Sequence, residues 1–171
     1  MIASAPRRLA IGFGSSLGDR RAQISRAVRA LDRTPGLTLV RCSRLVRTPP
    51  MKGGSAQGWF LNAVAVYRTT VDPAVVLDRC RTLEERAGRR RSRFWGDRTL
   101  DLDVLLDEVV AVHADDLQVP HPNLADRPFV LGPLLEIWPD ATDPSTGERY
   151  AMRPSPTGPM AVHCGVLARP R

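Results

Sequence analysis

The segment that most restricts the fold is "TLDLDVLL", in which two acids alternate with aliphatic residues. Successive side chains of a β-strand point to opposite faces, so Leu100, Leu102 and Val104 share one face. Asp101 and Asp103 then share the other face, roughly 6 to 7 Å apart at about 3.3 Å of rise per residue. Two negative charges at that spacing repel each other unless water or a cation compensates them. The segment predicts a strand with one buried face and one acidic face.

The chain before this strand divides into alternating β and α segments, read from apolar periodicity and from the helix-start signal of Asp72 and Pro73. The predicted segments are strand 9–13, helix 20–31, strand 37–46, strand 60–67 and a helix from Pro73 to about Ala87. With the acidic strand, the order is β-α-β-β-α-β. This order predicts an α+β fold of the ferredoxin-like type, in which both helices cover one face of an antiparallel sheet. The other face needs a cover or a ligand.

Beyond the acidic strand the pattern is weaker. A short hairpin strand is expected around residues 109–112, followed by the loop "LQVPHPNLADR" and an apolar helix at about 129–137. Prolines recur among Ser, Thr and Gly residues after Asp140. We therefore expect one folded domain at residues 1–140 and a Pro-rich tail at residues 141–171 that is partly docked or disordered.

Length and composition support a single globular domain. A chain of 171 residues with 43% hydrophobic and 25% charged residues is long enough for one core. No apolar run approaches the ~20 residues needed to span a bilayer, and "MIASAPRRLA" lacks the apolar region of a signal peptide. Cys42, Cys80 and Cys164 are too widely spaced to indicate a disulfide framework or a zinc site. We expect a cytoplasmic protein that binds no membrane.

Positive charge is concentrated just before the acidic strand. The net charge is +7, and seven arginines lie between residues 81 and 98. A coding preference for arginine explains the scattered arginines equally well but does not explain this cluster. Guanidinium groups suit phosphate oxygens, and magnesium is usually held by one or two carboxylates together with substrate phosphates. A half-exposed strand with a polar face is an equal alternative for the acids alone, but acids beside arginines favour phosphoryl transfer without a P-loop.

The glycine-rich segment "GFGSSLG" after the first strand raises the possibility of a dinucleotide site. Its spacing is GxGxxxG rather than GxGxxG, no ribose-binding acid ends the second strand, and the segment order is not βαβαβ. The segment also lacks the GK[ST] ending of a P-loop. Glycines that allow a tight turn from strand to helix are the better interpretation.

Four other residues carry weaker signals on their own. His121 lies between two prolines with Arg127 six residues on, which fits a binding site or a locally bonded turn. Phe60 and Asn62 share a strand face and offer a stacking surface and a two-sided amide. Core packing for Phe60 and a strand-end hydrogen bond for Asn62 are the simpler alternatives.

Taken together, these segments resemble the 6-hydroxymethyl-7,8-dihydropterin pyrophosphokinase family of folate synthesis. The first matching pieces are "GSSLGDR" against a family GSNLGDR, "RTPPMKG" against a TPP-containing loop, and "FLNAV" against YLNA. They are followed by "E...GR.R" before "WGDRTLDLDVLL" against RWGPRTLDLDIL, and by "VPHPNLADRPFVLGPLLEIWPD" against a PHP...R.FVL.PL.EI.P signature. They follow the family's order from about Leu9 to Asp140.

The resemblance implies an enzyme that transfers pyrophosphate from its co-substrate ATP to the hydroxymethyl group of the pterin and releases AMP. It implies that Asp101 and Asp103 bind two Mg²⁺ ions and that Arg91 and Arg98 act with them in catalysis. The residues implied to bind ATP are Glu84 near the nucleoside, then Arg89, Arg91, Arg98, His121 and Arg127. The residues implied to bind the pterin are Thr48, Pro49, Phe60, Asn62 and Phe129.

Three positions depart from the family's pattern. Ser16 replaces the usual Asn, Phe94 stands where an Arg commonly precedes the Trp, and Asp97 replaces a Pro. Arg93 is a candidate for the missing guanidinium at a one-residue shift. None of the three changes removes a metal ligand.

Two other functions compete with this interpretation. A ferredoxin-like sheet with basic loops is also the design of an RNA-binding module, but "LDLDVLL" has acids where bases would stack, so no nucleic-acid partner is expected. A non-catalytic pterin or nucleotide binder is favoured only by the departures. Protein partners are not indicated by any motif.

Overall fold

The computed structural model describes residues 5–50, 55–89 and 96–153, together with the backbone of residues 162–166. The strands are β1 (Arg7–Ser15), β2 (Leu37–Cys42), β3 (Arg44–Thr48), β4 (Phe60–Thr69), β5 (Asp101–Asp107), β6 (Val112–Ala114), β7 (Leu117–Val119) and β8 (Val162–Val166). The helices are α1 (Arg20–Asp32), α2 (Pro73–Arg86) and α3 (Pro128–Ile137), with a short 3-10 turn at Tyr150–Met152.

The main sheet has the order β5-β1-β4-β3-β8, and β2 also pairs with β4. Each of these pairs is antiparallel. The predicted α+β class with an antiparallel sheet is confirmed, but the predicted strand 37–46 is two strands. Ser43 interrupts it, because its N–H donates to the carbonyl of Val64 at 2.8 Å while its hydroxyl accepts the Val64 N–H at 2.9 Å. The side chain thus takes a place in the ladder that a backbone carbonyl would fill.

Both helices predicted before the acidic strand form, and each begins at an aspartate cap. The carboxylate of Asp19 accepts the N–H of Ala22 at 3.0 Å, and that of Asp72 accepts the N–H of Ala74 at 2.8 Å. These bonds satisfy donors that the first helical turn leaves unpaired. Pro73 occupies the first position of α2, where a missing N–H costs nothing.

The sheet has two unlike faces. On the face that we call the helix face, Ile11, Phe13 and Leu102 pack in one core with the buried residues of α1 and α2. On the opposite face, which we call the open face, Val64 and Leu105 pack in a second core with α3. Because α3 is only ten residues long, it covers part of the open face and leaves the end near Asp101 free.

The hairpin lies later in the chain than the sequence suggested. β6 and β7 pair from Val112 to Val119, whereas the expected strand was 109–112. The carboxylate of Asp107 accepts the N–H groups of Val109 and Val110, both at 3.0 Å, so the chain turns there instead of extending. The buried Asp107 is itself paired with Arg7 at 2.7 Å.

Residues after α3 also take part in packing. Ala141 and Tyr150 are buried in the core of the open face, and β8 pairs with the outer edge of β3. The domain boundary at residue 140 stays a prediction. Within the described ranges, no helix combines the length and the apolar character needed to cross a bilayer. The cytoplasmic location stays a prediction as well.

Candidate active site

A cavity of about 880 Å³ lies at the free end of the open face. Among the described residues, every predicted site residue except Glu84 lines it. The lining members of that set are Asp101, Asp103, Arg89, Arg98, His121, Arg127, Thr48, Pro49, Phe60, Asn62 and Phe129. Arg91 lies outside the described residues. Side chains from segments more than 80 residues apart in the chain therefore converge on one space.

Two glycines of β1 form the floor of this cavity. In the sheet register Gly12 lies opposite Asp103, and Gly14 lies opposite both Asp101 and Asn62. A Cβ atom at Gly14 would stand 3.5 Å from Asn62 Oδ1 and 3.6 Å from Asp101 Cβ, and would take up space that the cavity uses. The turn that the sequence interpretation assigned to the glycines belongs to Gly18, which has φ +61°.

Asp101 is held by two arginines. Its Oδ2 accepts from Arg98 Nη1 at 2.8 Å, and its Oδ1 lies 2.8 Å from Arg89 Nη1. Both carboxylate oxygens are therefore engaged, and two positive groups compensate one negative charge. The predicted phosphate-binding arginines and the predicted metal ligand form one cluster.

Glu84 supports this cluster from behind. Its Oε1 accepts the N–H of Leu102 at 2.7 Å and also contacts Arg89 Nη1. Burial raises the pKa of this carboxyl, while the Leu102 N–H and Arg89 oppose that shift. Glu84 thus fixes Arg89 and the start of β5 without lining the cavity. Its role near the nucleoside stays a prediction.

Asp103 differs from Asp101 in its lack of direct partners among the described residues. Across the described residues its carboxylate makes no hydrogen bond or ion pair. Burial, reinforced by the charge of Asp101, raises the pKa of Asp103 to about 6, although the charge of Arg127 works against the rise. A cation beside the two acids would offset both causes.

The acids fit a metal that also binds its substrate. The described residues contain no group of three or more His, Cys, Asp or Glu side chains arranged to hold an ion. Two carboxylates alone suit magnesium, which completes its shell with water and substrate phosphates. The donor set is therefore of the kind that binds magnesium together with a nucleotide.

His121 lines the cavity and uses one ring nitrogen in a local bond. Its Nδ1 accepts the N–H of Asn123 at 3.1 Å. Burial, assisted by the charge of Arg127, lowers the pKa of His121, so the ring is neutral near pH 7. A neutral ring whose Nδ1 accepts carries its proton on Nε2, which makes it a hydrogen-bond donor.

The opposite side of the cavity is aromatic and amide-lined. Phe60 at the start of β4 and Phe129 in α3 both line it. Asn62 donates from Nδ2 to Thr48 Oγ1 at 3.0 Å, which orients the amide so that Oδ1 faces Gly14. A flat heterocycle with polar edge atoms matches such a pairing of rings and amide.

The chain matches the family described as 7,8-dihydro-6-hydroxymethylpterin-pyrophosphokinase (HPPK) over residues 10–139. The protein belongs to this family. The 2-amino-4-hydroxy-6-hydroxymethyldihydropteridine pyrophosphokinase of Methylorubrum extorquens is 43% identical over 133 residues, which cover 78% of this chain and 84% of that one. The enzyme of the same name from Bacillus subtilis is 37% identical over 127 residues, with coverage of 74% and 75%.

Solved structures agree with the fold. A Plasmodium falciparum HPPK-DHPS crystallised with pterin and p-hydroxybenzoate aligns with a TM-score of 0.63 at 12% identity. The alignment covers 88% of this chain but 43% of that longer protein. At this identity the likeness concerns the fold alone.

Sequence reasoning missed several lining residues of this HPPK family member. Gly12, Gly14, Pro50 and Asp126 line the cavity without having been predicted to do so. Asp126 directly precedes Arg127, and that proximity was the available signal. The role of Gly14 was not readable, because it depends on a sheet register that brings three distant strands side by side.

Two of the three departures from the family pattern are visible. Ser16 donates its N–H to the carbonyl of Arg98 at 2.9 Å and accepts the Arg98 N–H on Oγ at 2.9 Å. The smaller side chain therefore still holds the segment that carries Arg98. Asp97 bonds to the loop before β4. Phe94 and Arg93 lie outside the described residues.

Proposed function

We propose that the protein transfers pyrophosphate from ATP to the hydroxymethyl group of 6-hydroxymethyl-7,8-dihydropterin, releasing AMP, and that it depends on magnesium. One observation carries the proposal. The cavity joins a charged half with Asp101, Asp103 and Arg98 to an aromatic half with Phe60 and Phe129. The names of the HPPK relatives specify the same pterin and the same transfer.

The charged half suits a triphosphate. Arg89 and Arg98 approach from the α2 side and the entrance of β5, while Arg127 and His121 approach from the segment that leads into α3. Guanidinium forks bind phosphate oxygens in pairs, and neutral His121 donates from Nε2 without adding charge. When the nucleotide binds, Arg89 and Arg98 leave Asp101 and contact the phosphates instead. The Asp101 carboxylate is then free to bind metal.

Magnesium is assigned to Asp101 and Asp103. When bound, it neutralises the developing phosphate charge and lowers the pKa of the attacking hydroxyl. Asp103 has free carboxylate oxygens, and Asp101 gains them when its arginines turn to phosphate. The assignment of two ions rests on the resemblance between the family's motif and "RTLDLD".

The aromatic half suits the pterin. Phe60 and Phe129 offer ring faces, and Asn62 with Thr48 offers an amide oxygen and a hydroxyl to the polar edge of the ring. Pro49 lies beside Thr48 and limits the width of this end. The side-chain-free floor at Gly12 and Gly14 leaves room for the hydroxymethyl group to reach the phosphates.

Catalysis then consists mainly of positioning. The pterin hydroxymethyl oxygen attacks the β-phosphorus, and its proton passes to water. The bond between the β-phosphorus and the α,β-bridging oxygen breaks, and AMP leaves with that oxygen. The arginines hold the transferred group in line with the nucleophile and stabilise its charge. Arg91 belongs to this set by its place in the motif.

The test measures AMP formed from ATP and 6-hydroxymethyl-7,8-dihydropterin, with magnesium and after its removal by a chelator. We expect AMP only when magnesium is present, and a loss of about 10²- to 10³-fold in Asp101→Ala. Asp115→Ala removes an exposed charge from the β6–β7 turn and serves as the control, with unchanged turnover.

Two results would contradict the proposal. Full activity in Asp101→Ala would remove the metal assignment. Binding of ATP and pterin by calorimetry without any AMP would instead identify a non-catalytic binder.

A further inference from the structure

Asp97 joins two loops that meet at the cavity. Its Oδ2 accepts the N–H of Gln57 at 2.9 Å, and its Oδ1 accepts the N–H of Gly58 at 3.2 Å. One carboxylate thus satisfies two successive backbone donors of the loop before β4. Because the acceptor is charged, each bond is stronger than one between neutral groups.

The loop fits against the rest of the site closely. A Cβ atom at Gly58 would lie 3.1 Å from the carbonyl oxygen of Ser16 and 3.2 Å from Asp97 Oδ1. Arg20 donates from Nε to the same Ser16 carbonyl at 2.8 Å, and its charge helps to lower the pKa of Asp97. The main cause of the lowered pKa of Asp97 is the hydrogen bond from the Gln57 N–H, and the Gly58 N–H contributes less. The carboxylate therefore stays ionised while the loop is docked.

The two loops serve different halves of the cavity. Gln57 and Gly58 come just before Phe60, and the same connection begins at Thr48 and Pro49, so its two ends line the aromatic half. The residue after Asp97 is Arg98, which lines the charged half and pairs with Asp101. Asp97 is the link between them.

We propose that Asp97 is a positioning residue that docks Gln57 and Gly58, just before β4, onto the entrance of β5, so that the aromatic half is formed before the pterin arrives. The inference rests on the proposed function for its substrate. In the motif that "WGDRTLDLDVLL" resembles, this position is a proline, which has no side-chain acceptor, so the resemblance implies that the link belongs to this chain's own sequence.

The effect should fall on one substrate. The segment that carries Arg98 has its own anchor, because the backbone of Arg98 is bonded twice to Ser16. The Asp97 carboxylate also interacts with the Ser16 side chain, but the bond from the Ser16 N–H to the Arg98 carbonyl at 2.9 Å does not involve Asp97. Loss of the Asp97 carboxylate therefore releases Gln57 and Gly58 while Arg98 stays in place. Pterin binding should weaken and ATP binding should not.

The experiment compares steady-state kinetics and amide exchange in wild type, Asp97→Asn and Asp97→Ala. In Asp97→Ala we expect the KM for the pterin to rise about tenfold at saturating ATP, with the KM for ATP within about twofold of wild type. Asp97→Asn keeps one acceptor oxygen and should fall between the two. Hydrogen exchange at the amides of Gln57 and Gly58 should quicken in the same order.

Asp72→Ala is the matched control. Asp72 also accepts a backbone N–H, that of Ala74 at 2.8 Å, but it caps α2 and does not line the cavity. Its loss should lower the melting temperature without changing either KM. A general loss of stability would therefore not imitate the expected result.

An unchanged pterin KM in Asp97→Ala, or an equal rise in both KM values, would overturn the inference. Equilibrium titration of the pterin in the presence of α,β-methylene-ATP distinguishes a failure of the inference about Asp97 from a failure of the proposed function. If wild type binds the pterin but forms no AMP, the proposed function fails, and about tenfold weaker binding in Asp97→Ala still supports the link. If wild type does not bind the pterin, both fail.

Discussion

The two faces of the sheet use the same strands for different purposes. On β5, Leu102 and Val104 enter the core of the helix face, while Asp101 and Asp103 border the cavity on the open face. On β1, Ile11 and Phe13 fill the helix face, while Gly12 and Gly14 leave the open face bare. Along each of these strands, one residue therefore contributes to the core and the next borders the cavity.

The difference shows how a small domain can stay stable while it holds a site whose acids lower its stability. The helix face is closed by α1 and α2 and contains the larger apolar core. The open face is closed by α3 at one end only, and at the other it holds the half-buried Asp103, whose pKa is raised. Substitutions on adjacent residues of β5 should accordingly affect different measurements.

The largest effect is expected for Asp103→Asn on the open face. Turnover should fall about 10²- to 10³-fold, because the neutral amide is a poor partner for a cation beside phosphate. The free energy of unfolding should rise rather than fall, because the raised pKa of Asp103 shows that its surroundings disfavour the charged carboxylate despite the nearby Arg127. AMP formation and urea unfolding test the two parts. A less stable Asp103→Asn would contradict the interpretation that the charged form of Asp103 is destabilised in the folded protein.

Its neighbour on the helix face should behave in the opposite way. Leu102 is 4% exposed, and Leu102→Ala should lower the free energy of unfolding by about 2–5 kcal/mol through lost burial and a cavity. Turnover of the folded protein should stay within a few-fold of wild type. Urea unfolding and AMP formation at low temperature measure both. A Leu102→Ala protein of normal stability would contradict the conclusion that the helix face of β5 contributes mainly to stability.

A smaller effect is expected where α3 meets the cavity. Phe129→Ala should raise the KM for the pterin about tenfold, because one stacking surface is lost, and leave the KM for ATP unchanged. Leu134, on the same helix but fully buried in the core, is the control. Leu134→Ala should lower stability and leave the pterin KM unchanged. Equal effects of the two substitutions on that KM would argue against stacking at Phe129.

The smallest effect concerns pH. Since the folded-state pKa of Asp103 is about 6 and that of an unfolded Asp is about 3.9, the folded protein binds the proton more tightly. Its contribution to stability is fully present below about pH 4 and is lost as the pH rises through about 6. Urea unfolding of wild type and Asp103→Asn without nucleotide should therefore converge at about pH 4 and diverge most above pH 6. A constant difference across that range would contradict the raised pKa.

Much of the fold was readable because the signals are local. Asp19 and Asp72 mark the helix starts, and the alternation from Leu100 to Val104 marks β5. The break at Ser43 was not readable, because it arises from a hydroxyl that bonds to Val64, 21 residues away. The hairpin was misplaced for a similar reason, since the carboxylate of Asp107 takes the N–H groups of two valines that otherwise look like a strand.

The site was predicted as residue types but not as contacts. Asp101, Asp103 and the arginines come from one segment, so their proximity followed from the sequence. The flanking prolines had singled out His121, and the family motifs added Phe129. The backbone bond of Glu84 to Leu102 and the bonds of Asp97 to the loop before β4 depend on how separate segments dock. Such contacts leave no periodicity or spacing in the chain.

The pairing of Asp101 with Arg89 and Arg98 also has a practical meaning for inhibitor discovery. These arginines are engaged by Asp101, whereas Phe60 and Phe129 line the same cavity with apolar rings. Fragment screens of the protein alone should return flat heterocycles at these rings and few anions. Screens with an ATP analogue bound should find compounds that extend from the rings to the phosphates.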